Sequence, residues 1–191
     1  MPHPDLIPAL WLLWAVGWTI SAFRTKHILR TEGIRSGLSH MIPLALGAAL
    51  LVFPHAGGPL LATRIFPRSA ATFRIAATLV VLGLGFAAWA RIHLAGNWSG
   101  TVTLKQDHSL TRTGPYRWVR HPIYTGLLTA VLGSAIDEAA WRGPIGLALI
   151  TLAFRRKITI EERFLTAQFG DAYTSYQREV PALIPWPAAR R

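Results

Sequence analysis

The 191-residue chain contains no cysteine, which excludes disulfide bridges, thiolate metal sites and cysteine nucleophiles. Charged residues are also scarce, at 15%, and only nine of them are acidic. Hydrophobic residues make up 51% of the chain, eight residues are tryptophan, and the mean hydropathy is +0.32. This composition is typical of a membrane protein, and the length corresponds to one domain. We therefore predict a single membrane domain over residues 1–191.

Several functional classes lack their motifs. The chain has neither a phosphate-binding Gly-x-x-x-x-Gly-Lys loop nor a Gly-x-Ser-x-Gly elbow. The stretch 83–88 matches a dinucleotide pattern but lies inside an apolar run without a preceding strand, which favours close helix packing instead. Seven histidines show no metal-ligand spacing, so no metal is expected. The net charge of +11 is dispersed between apolar runs, which favours membrane lipids as partners over nucleic acid.

Five apolar segments predict an all-α polytopic membrane protein with about five transmembrane helices. Two are only 14 residues long, but a tight link joins them as a hairpin. The first two spans fall within residues 1–69, and residues 70–191 form the predicted catalytic part. The N-terminus lacks the basic region of a cleavable signal peptide, so the first span is expected to be retained. The segments are Leu6–Phe23, Leu38–Phe53, Ala70–Leu94, Ile123–Ile136 and Trp141–Phe154.

Basic residues predict the orientation of these spans. Sixteen of the 20 Lys and Arg lie in the first loop, the third loop and the tail, leaving four for the opposite side. By the positive-inside rule this places the N-terminus outside and the C-terminus in the cytoplasm of a bacterial-type inner membrane. Arg64 and Arg68 depart from the rule because they place basic charge outside.

The longest polar segment, residues 97–121, and the tail are both cytoplasmic in this topology. Residues 101–104 are expected to form a short extended piece. Ile158–Gln177 has helical spacing, with a break expected at Gly170. We predict a C-terminal amphipathic helix that lies on the membrane surface or covers a cofactor pocket formed by the loop.

A dense polar cluster occupies residues 114–126, at the start of the fourth apolar segment. Pro122 predicts the first position of a helix, which makes His121 the N-cap. A helix start offers free N–H groups to an anion, and Arg120 and His121 add side-chain donors there. Arg117 and Trp118, taken singly, are better explained as interfacial anchors.

A second polar cluster, Glu161-Glu162-Arg163, follows the last apolar segment and the basic run 155–157. Adjacent carboxylates diverge on a helix, so at most one is expected to face a given pocket. Such a carboxylate can bind ribose hydroxyls, offset a cationic cofactor or act as a base. The alternative is a solvated helix face.

These residues resemble the isoprenylcysteine carboxyl methyltransferase family and its phospholipid methyltransferase relatives over roughly residues 85–187. The resemblance rests on the block Arg-His-Pro-x-Tyr-x-Gly at 120–126, the pair Glu161-Glu162, Asn97-Trp98-Ser99-Gly100 and the tail from Phe169 to Pro185. It implies an integral membrane methyltransferase that uses S-adenosylmethionine. The cofactor-binding residues it implies are His108, Ser109, Leu110, Thr111, Tyr116, Arg120, His121, Pro122, Ile123, Tyr124, Gly126 and Glu161.

The candidate catalytic residues are Glu161, Glu162 and Lys157, with Arg155 or Arg156 as the alternative to Lys157 for contact with the acceptor. Lys157 stands where the family has an arginine facing the substrate, and it lacks the planar fork of arginine for a carboxylate. A carboxylate acceptor requires no strong base, whereas a thiol, amine or hydroxyl would need one, for which Glu161, Glu162 and His121 are candidates.

The family implies a small lipophilic acceptor, most directly an isoprenylcysteine-like carboxylate. Phospholipid-type amine or thiol methylation, a reductase of the same membrane fold and a non-catalytic lipid-binding protein are the alternatives. The oligomeric state is open.

Overall fold

The structure is a computed structural model that describes residues 5–22, 28–31, 33–94, 103–105 and 110–185. It is built of helices, with two short strands at one end. The helices are α1 (Leu6–Ala22), α2 (Ile34–Val52), α3 (Gly58–Ala62), α4 (Ala70–Leu94), α5 (Pro122–Glu138), α6 (Arg142–Phe169) and α7 (Asp171–Glu179). The strands are β1 (Ile28–Thr31) and β2 (Thr103–Lys105), and a 3₁₀ turn covers Gly114–Arg117.

Over its described residues, each of the five predicted apolar segments lies in a helix with at most one end residue outside it, namely α1, α2, α4, α5 and α6. Within the described part of the chain, α2 and α4 alone are long and apolar enough to cross a membrane by length and composition. The count of five spans therefore stays a prediction. Large apolar side chains point outward from several helices, including Leu13 of α1 and Leu82 of α4, which suits a hydrocarbon environment.

Small residues permit the closest helix contacts. α5 packs along α4, and a β-carbon added at Gly83 of α4 would lie 2.5 Å from the Gly126 carbonyl oxygen of α5. α6 packs against α2 in a similar way, with Gly146 against the Gly47 backbone. Gly83 thus has the helix-packing role predicted for it, and the resulting pairs set the position of α5 against α6.

α6 differs from the prediction. It runs unbroken for 28 residues, so the last apolar segment and the first tail helix form one element rather than two. The charged run Arg155-Arg156-Lys157 does not interrupt it, because these residues are good helix formers and all three continue the backbone hydrogen-bond ladder. The predicted break at Gly170 is confirmed: this residue has φ 52° and separates α6 from α7.

At the end of the bundle opposite the tail, Arg68 and Arg142 contact the α5–α6 turn. The Arg68 Nε donates to the carbonyl oxygen of Asp137 at 2.7 Å, and its guanidinium lies 3.8 Å from the Glu138 carboxylate. Arg142 forms an ion pair with the same Glu138. Arg68 and Arg142 are therefore held in ion pairs at the α5–α6 turn, and they still count against the predicted orientation, because the positive-inside rule counts Lys and Arg rather than net charge.

The two strands join the first and third loops. β1 pairs with β2 in antiparallel register, with Ile28 opposite Lys105 and Thr31 opposite Thr103. The sequence predicted an extended piece at 101–104, and the structure assigns a strand to 103–105. Its partner in the first loop was not anticipated. Pairing places the two loops at the same end of the bundle.

Candidate active site

The third loop folds back onto the end of α4. His93 of α4 lies within hydrogen-bonding distance of Thr113, with 2.8 Å between Nε2 and Oγ1. Gly114 has φ 58° and packs so closely on the His93 ring that a β-carbon would lie 2.7 Å from it. Tyr116 is buried beside Ala90 of α4. These contacts bring the following residues to the start of α5.

His121 occupies the predicted N-cap position of α5, but its side chain does not cap the helix. Instead, its Nε2 lies 3.0 Å from Oε1 of Glu162, and its Nδ1 lies 3.6 Å from Oε2 of Glu161. Both glutamates thus contact the same imidazole, and the expectation that at most one of them faces a given pocket stays a prediction. The imidazole lies between the diverging side chains, and its two nitrogens point in different directions, so each carboxylate reaches one of them.

Glu162 is also bound by Arg120. The guanidinium donates to Oε1 from Nε at 2.9 Å and from Nη2 at 2.7 Å. The Gln177 amide of α7 donates to Oε2 at 3.0 Å. Arg120 Nη1 donates to the carbonyl oxygens of Gln177 and Val180. All three nitrogens of the guanidinium thus contact protein acceptors, so Arg120 connects Glu162 to the end of α7, and its cofactor contact stays a prediction.

Glu161 has a different environment. The Tyr124 hydroxyl donates to its Oε1 at 2.6 Å, and 20% of its side chain remains exposed. Lys157, one helical turn earlier on α6, has its Nζ 5.8 Å from the centroid of the Tyr124 ring. Tyr124 also stacks on Phe154, with 4.8 Å between ring centroids. The three residues predicted as catalytic thus lie around His121 and Tyr124.

The charges of this cluster reinforce one another. Burial alone would raise the pKa of Glu162, but hydrogen bonds from His121 and Arg120 outweigh it and lower the pKa to about 2. Burial likewise opposes ionisation of Glu161, yet His121, Lys157 and Tyr124 lower its pKa. Burial disfavours the imidazolium of His121, but the two carboxylates raise its pKa above the usual value. Both glutamates are therefore anionic at neutral pH.

The chain after α7 crosses the start of α5. The backbone N–H of Arg120 donates to the carbonyl oxygen of Pro181 at 2.9 Å, and that of His121 to Ala182 at 3.0 Å. The Thr125 hydroxyl donates to the carbonyl oxygen of Leu183 at 2.6 Å. The backbone N–H groups of Arg120 and His121 thus have acceptors within the protein, and this helix start offers fewer free donors to an anion than expected.

Not every residue implied by the resemblance lies in this cluster. His108 and Ser109 fall outside the described residues, and Leu110 and Thr111 are half-buried at the start of the loop. Pro122 and Ile123 are buried in the helix core, as is Tyr116. Gly126 faces α4, where an added β-carbon would lie 2.7 Å from the Ala87 nitrogen. Packing explains the glycine, and its cofactor contact stays a prediction.

The sequence reasoning missed Gln177, which binds Glu162 from α7. An available signal was the pair Tyr173 and Tyr176, three residues apart and both buried, which defines the inward face of α7. The interpretation of Arg117 and Trp118 as anchors fits the structure. Trp118 is half exposed and packs on Phe86 and Trp89 of α4, and Arg117 lies over the Trp118 ring.

The fold and the site describe a helical protein of membrane character with a polar cluster at one end of its helices. The sequence model of the Isoprenylcysteine carboxyl methyltransferase (ICMT) family matches residues 76–167, which include every residue of the cluster except those of α7 and the segment after it. The resemblance predicted from the sequence is thereby confirmed for this part of the chain.

Two curated relatives and one solved structure extend the comparison. Protein-S-isoprenylcysteine O-methyltransferase of Schizosaccharomyces pombe is 36% identical over 81 residues, covering 42% of this chain and 34% of that protein. Methanethiol S-methyltransferase of Mycobacterium tuberculosis is 42% identical over 76 residues, covering 38% and 29%. The chain therefore spans about a third of the length of either relative.

The solved structure is that of the eukaryotic intramembrane Ras methyltransferase ICMT. It aligns with 93% of this chain and 55% of its own, with a TM-score of 0.58 and 23% identity. This likeness concerns the fold, and it includes the N-terminal helices that the family match leaves out.

Proposed function

We propose that this chain is an integral membrane methyltransferase that uses S-adenosylmethionine to methylate a lipophilic acceptor. The observation that carries the proposal is the convergence of His121, Tyr124 and Glu161 within the segment that matches the methyltransferase family. A solvated helix face would leave Glu161 in open water. Here it is four-fifths covered and hydrogen-bonded, as expected of a binding residue.

The cluster fits the chemistry of the proposed cofactor. S-adenosylmethionine carries a sulfonium and an ammonium, and its ribose offers two hydroxyl donors. Glu161 is an ionised carboxylate, and each of its oxygens has one contact with the described residues, where a carboxylate offers about four acceptor positions. His121, Tyr124 and Glu161 would therefore hold the cofactor, which when bound supplies an electrophilic methyl group. The remaining cofactor contacts, including His108, Ser109, Leu110, Thr111 and Tyr116, follow from the resemblance.

The charge state of the cluster favours an acceptor that arrives already ionised. His121 is biased toward the imidazolium, which cannot accept a proton, and the lowered pKa makes Glu161 a weak base. A carboxylate needs no deprotonation, so we assign the acceptor as the carboxylate of an isoprenylcysteine-like compound. Lys157 supplies a cation one turn from Glu161 and would meet that carboxylate as a point charge.

A thiol acceptor is the second candidate, because the Mycobacterium tuberculosis relative is named a methanethiol S-methyltransferase. A thiol must lose its proton before or during attack, and Lys157 would favour the thiolate electrostatically. The two candidates differ in pH dependence: thiol methylation rises with pH as the thiolate forms, whereas carboxylate methylation does not require such a rise.

The proposed location follows from the position of the cluster. It lies at the end of the bundle where the strands join the first and third loops, and this end carries most of the basic residues. We place this end on the cytoplasmic side of a bacterial-type inner membrane, with five spans and the N-terminus outside. An acceptor with an apolar tail would keep that tail in lipid while its polar end reaches His121.

The direct test is calorimetric binding of S-adenosylmethionine and its demethylated product to the detergent-purified chain. We expect dissociation constants of about micromolar, or roughly −8 kcal/mol. Glu161→Gln should weaken binding at least tenfold, or by about 1.4 kcal/mol or more, since it replaces the carboxylate that attracts the positively charged cofactor with a neutral amide. Asp171→Asn, the corresponding change at an exposed position on α7, should leave binding within about twofold. A folded parent protein that binds neither compound at millimolar concentration would contradict the proposal and favour a lipid-binding protein.

The acceptor is identified by methyl transfer from labelled cofactor. An S-prenylated cysteine with a free carboxylate, the same compound with its carboxylate amidated, a long-chain alkanethiol and phosphatidylethanolamine form the panel. Transfer to the first and not to the second supports the carboxylate assignment. Transfer to the alkanethiol alone supports the thiol candidate, and transfer to the phospholipid alone rejects both.

A further inference from the structure

The two adjacent glutamates have different surroundings. Three N–H groups, two from Arg120 and one from His121, converge on Oε1 of Glu162, and Gln177 occupies Oε2. Glu161, by contrast, makes one contact through each oxygen. A carboxylate this heavily bonded has little capacity left for a ligand, so Glu162 is suited to holding protein elements together.

The elements that meet at Glu162 are far apart in sequence. Glu162 belongs to α6, Arg120 and His121 precede α5, and Gln177 lies on α7. Arg120 extends the connection, because its Nη1 donates to the carbonyl oxygens of Gln177 and Val180 at the end of α7. The pair is also largely covered, with 11% and 18% of the Arg120 and Glu162 side chains exposed. Removing one partner of a largely covered ion pair is strongly destabilising, because the remaining charge stays covered without a counter-charge.

The next residues of the chain continue this attachment. Pro181 and Ala182 accept hydrogen bonds from the backbone of Arg120 and His121, and Leu183 accepts one from Thr125. Residues 177–183 therefore form a strap across the start of α5 that binds the backbone of His121. One end of the strap is held by Arg120 and Glu162. Within it Glu179 pairs with Arg112, and the rest is held by three hydrogen bonds to α5 and the residues before it.

We propose that Glu162 is a positioning residue and not a catalytic one. Together with Arg120 it latches the strap, residues 177–183, across the start of α5. By binding Nε2 of His121 it also turns Nδ1 toward Glu161. The consequence for methyl transfer rests on the proposed function, whereas the latch itself does not and is tested without it.

The absence of cysteine makes the latch measurable. Ala182→Cys introduces a unique thiol in the strap, and its backbone hydrogen bond is independent of the side chain. The rate of maleimide labelling then reports how often the strap opens, with no cofactor present. Adding Glu162→Gln should raise this rate about tenfold or more, because it leaves Arg120 covered without its counter-charge. Glu161→Gln, the same change at the neighbouring residue, should raise it less than about threefold, as should Asp171→Asn, an exposed control on α7 outside the strap.

A double-mutant cycle attributes the effect to the ion pair. Arg120→Gln together with Glu162→Gln should label no faster than the faster single variant, because both changes break one interaction. If Glu161→Gln and Glu162→Gln open the strap equally, or if the two latch substitutions act additively, the latch is wrong. Should Glu162→Gln fail to fold, Gln177→Ala removes the α7 contact alone, and an unchanged labelling rate there overturns the proposal.

Cofactor binding separates a positioning role from direct contact. The Thr125 hydroxyl donates to the carbonyl oxygen of Leu183 at 2.6 Å, so these two residues lie close together. In a Thr125→Cys, Leu183→Cys variant, a short thiol crosslinker joins the two new side chains and fastens the strap. In the Glu162→Gln background, crosslinking should restore at least half of the lost affinity for the demethylated cofactor. No restoration means that Glu162 contacts the cofactor itself and overturns the positioning role. If the parent binds no cofactor, the proposed function fails, while the labelling rates still decide the latch.

Discussion

Substituting Gly83 with alanine should destabilise the bundle and displace the site. An added β-carbon at Gly83 would lie 2.5 Å from both the Ala130 nitrogen and the Gly126 carbonyl oxygen. Both are backbone atoms of α5, so no side-chain rotation relieves the contact. Non-bonded atoms prefer separations of about 3.5 Å, and α4 and α5 must therefore move apart by several tenths of an ångström or more.

The expected cost follows from this geometry. Overpacking of this kind costs about 1–3 kcal/mol, against which the better helix propensity of alanine returns up to about 1 kcal/mol. For a chain of this length, each kcal/mol shifts the melting temperature by roughly 2–4 °C. We therefore expect a decrease of several degrees. Because α5 begins at His121 and carries Tyr124, a shift of α5 should also weaken cofactor binding, since a misplacement of about 1 Å can cost 10²-fold in activity.

The matched control is Gly85→Ala on the same helix. No atom lies within 4 Å of a β-carbon added there, so this variant should be as stable as the parent or slightly more stable. Thermal unfolding in detergent, followed by tryptophan fluorescence, compares the two variants directly. Equal melting temperatures within 1 °C, taking about 2 °C per kcal/mol, would show that the α4–α5 contact is not as tight as the structure places it.

Three further outcomes are expected. Tyr124→Phe should weaken binding of the demethylated cofactor about 3–30-fold by calorimetry without lowering the melting temperature by more than about 3 °C, since it removes the hydroxyl that orients Glu161. The pH dependence of stability has two limbs. The contribution of Glu162 to the free energy of unfolding is present above about pH 4.5 and is lost as pH falls toward its folded pKa of about 2. The contribution of His121 is present below about pH 6.5 and is lost as pH rises through its raised pKa. Melting curves from pH 3 to 9 should show both limbs, and His121→Gln should remove the alkaline one. Glu138→Gln, at the opposite end, should lower the melting temperature by about 2–6 °C and leave cofactor affinity unchanged.

Much of the helical framework was predictable from the sequence, because the signals were local. The apolar segments located the helices, Pro122 fixed the start of α5, and Gly170 marked the end of α6. Proline and glycine restrict or permit particular backbone angles by themselves, and neighbouring residues can change these preferences only at a substantial cost in free energy. The short helix α3 was missed because prolines and glycines around it are typical of a loop.

The continuity of α6 was not predictable from apolar periodicity. Periodicity reports burial, and the continuous apolar run of α6 ends at Phe154 while its backbone ladder continues through the charged residues that follow. The bonds of Glu162 to Arg120 and of Arg68 to Glu138 were also beyond the sequence, because each joins residues brought together by packing. Helix geometry gave the correct divergence of Glu161 and Glu162, but it could not show that one histidine would lie between them.

Tyr124 marks the boundary between the apolar and polar parts of the site. Its ring stacks on Phe154, the last residue of the apolar part of α6, and its hydroxyl binds Glu161. At 1.5 Å per residue, Glu161 lies about 10 Å beyond Phe154 along the helix axis, which is more than the roughly 5–7 Å depth of the interfacial region on one side of a bilayer. A rigid helix that passes through this boundary can present an apolar surface and an ionised carboxylate to the same ligand. That arrangement suits the proposed acceptor, whose apolar tail would stay in lipid while its polar end reaches the proposed cofactor, and under this proposal carboxylates on α6 are better placed than carboxylates on a loop.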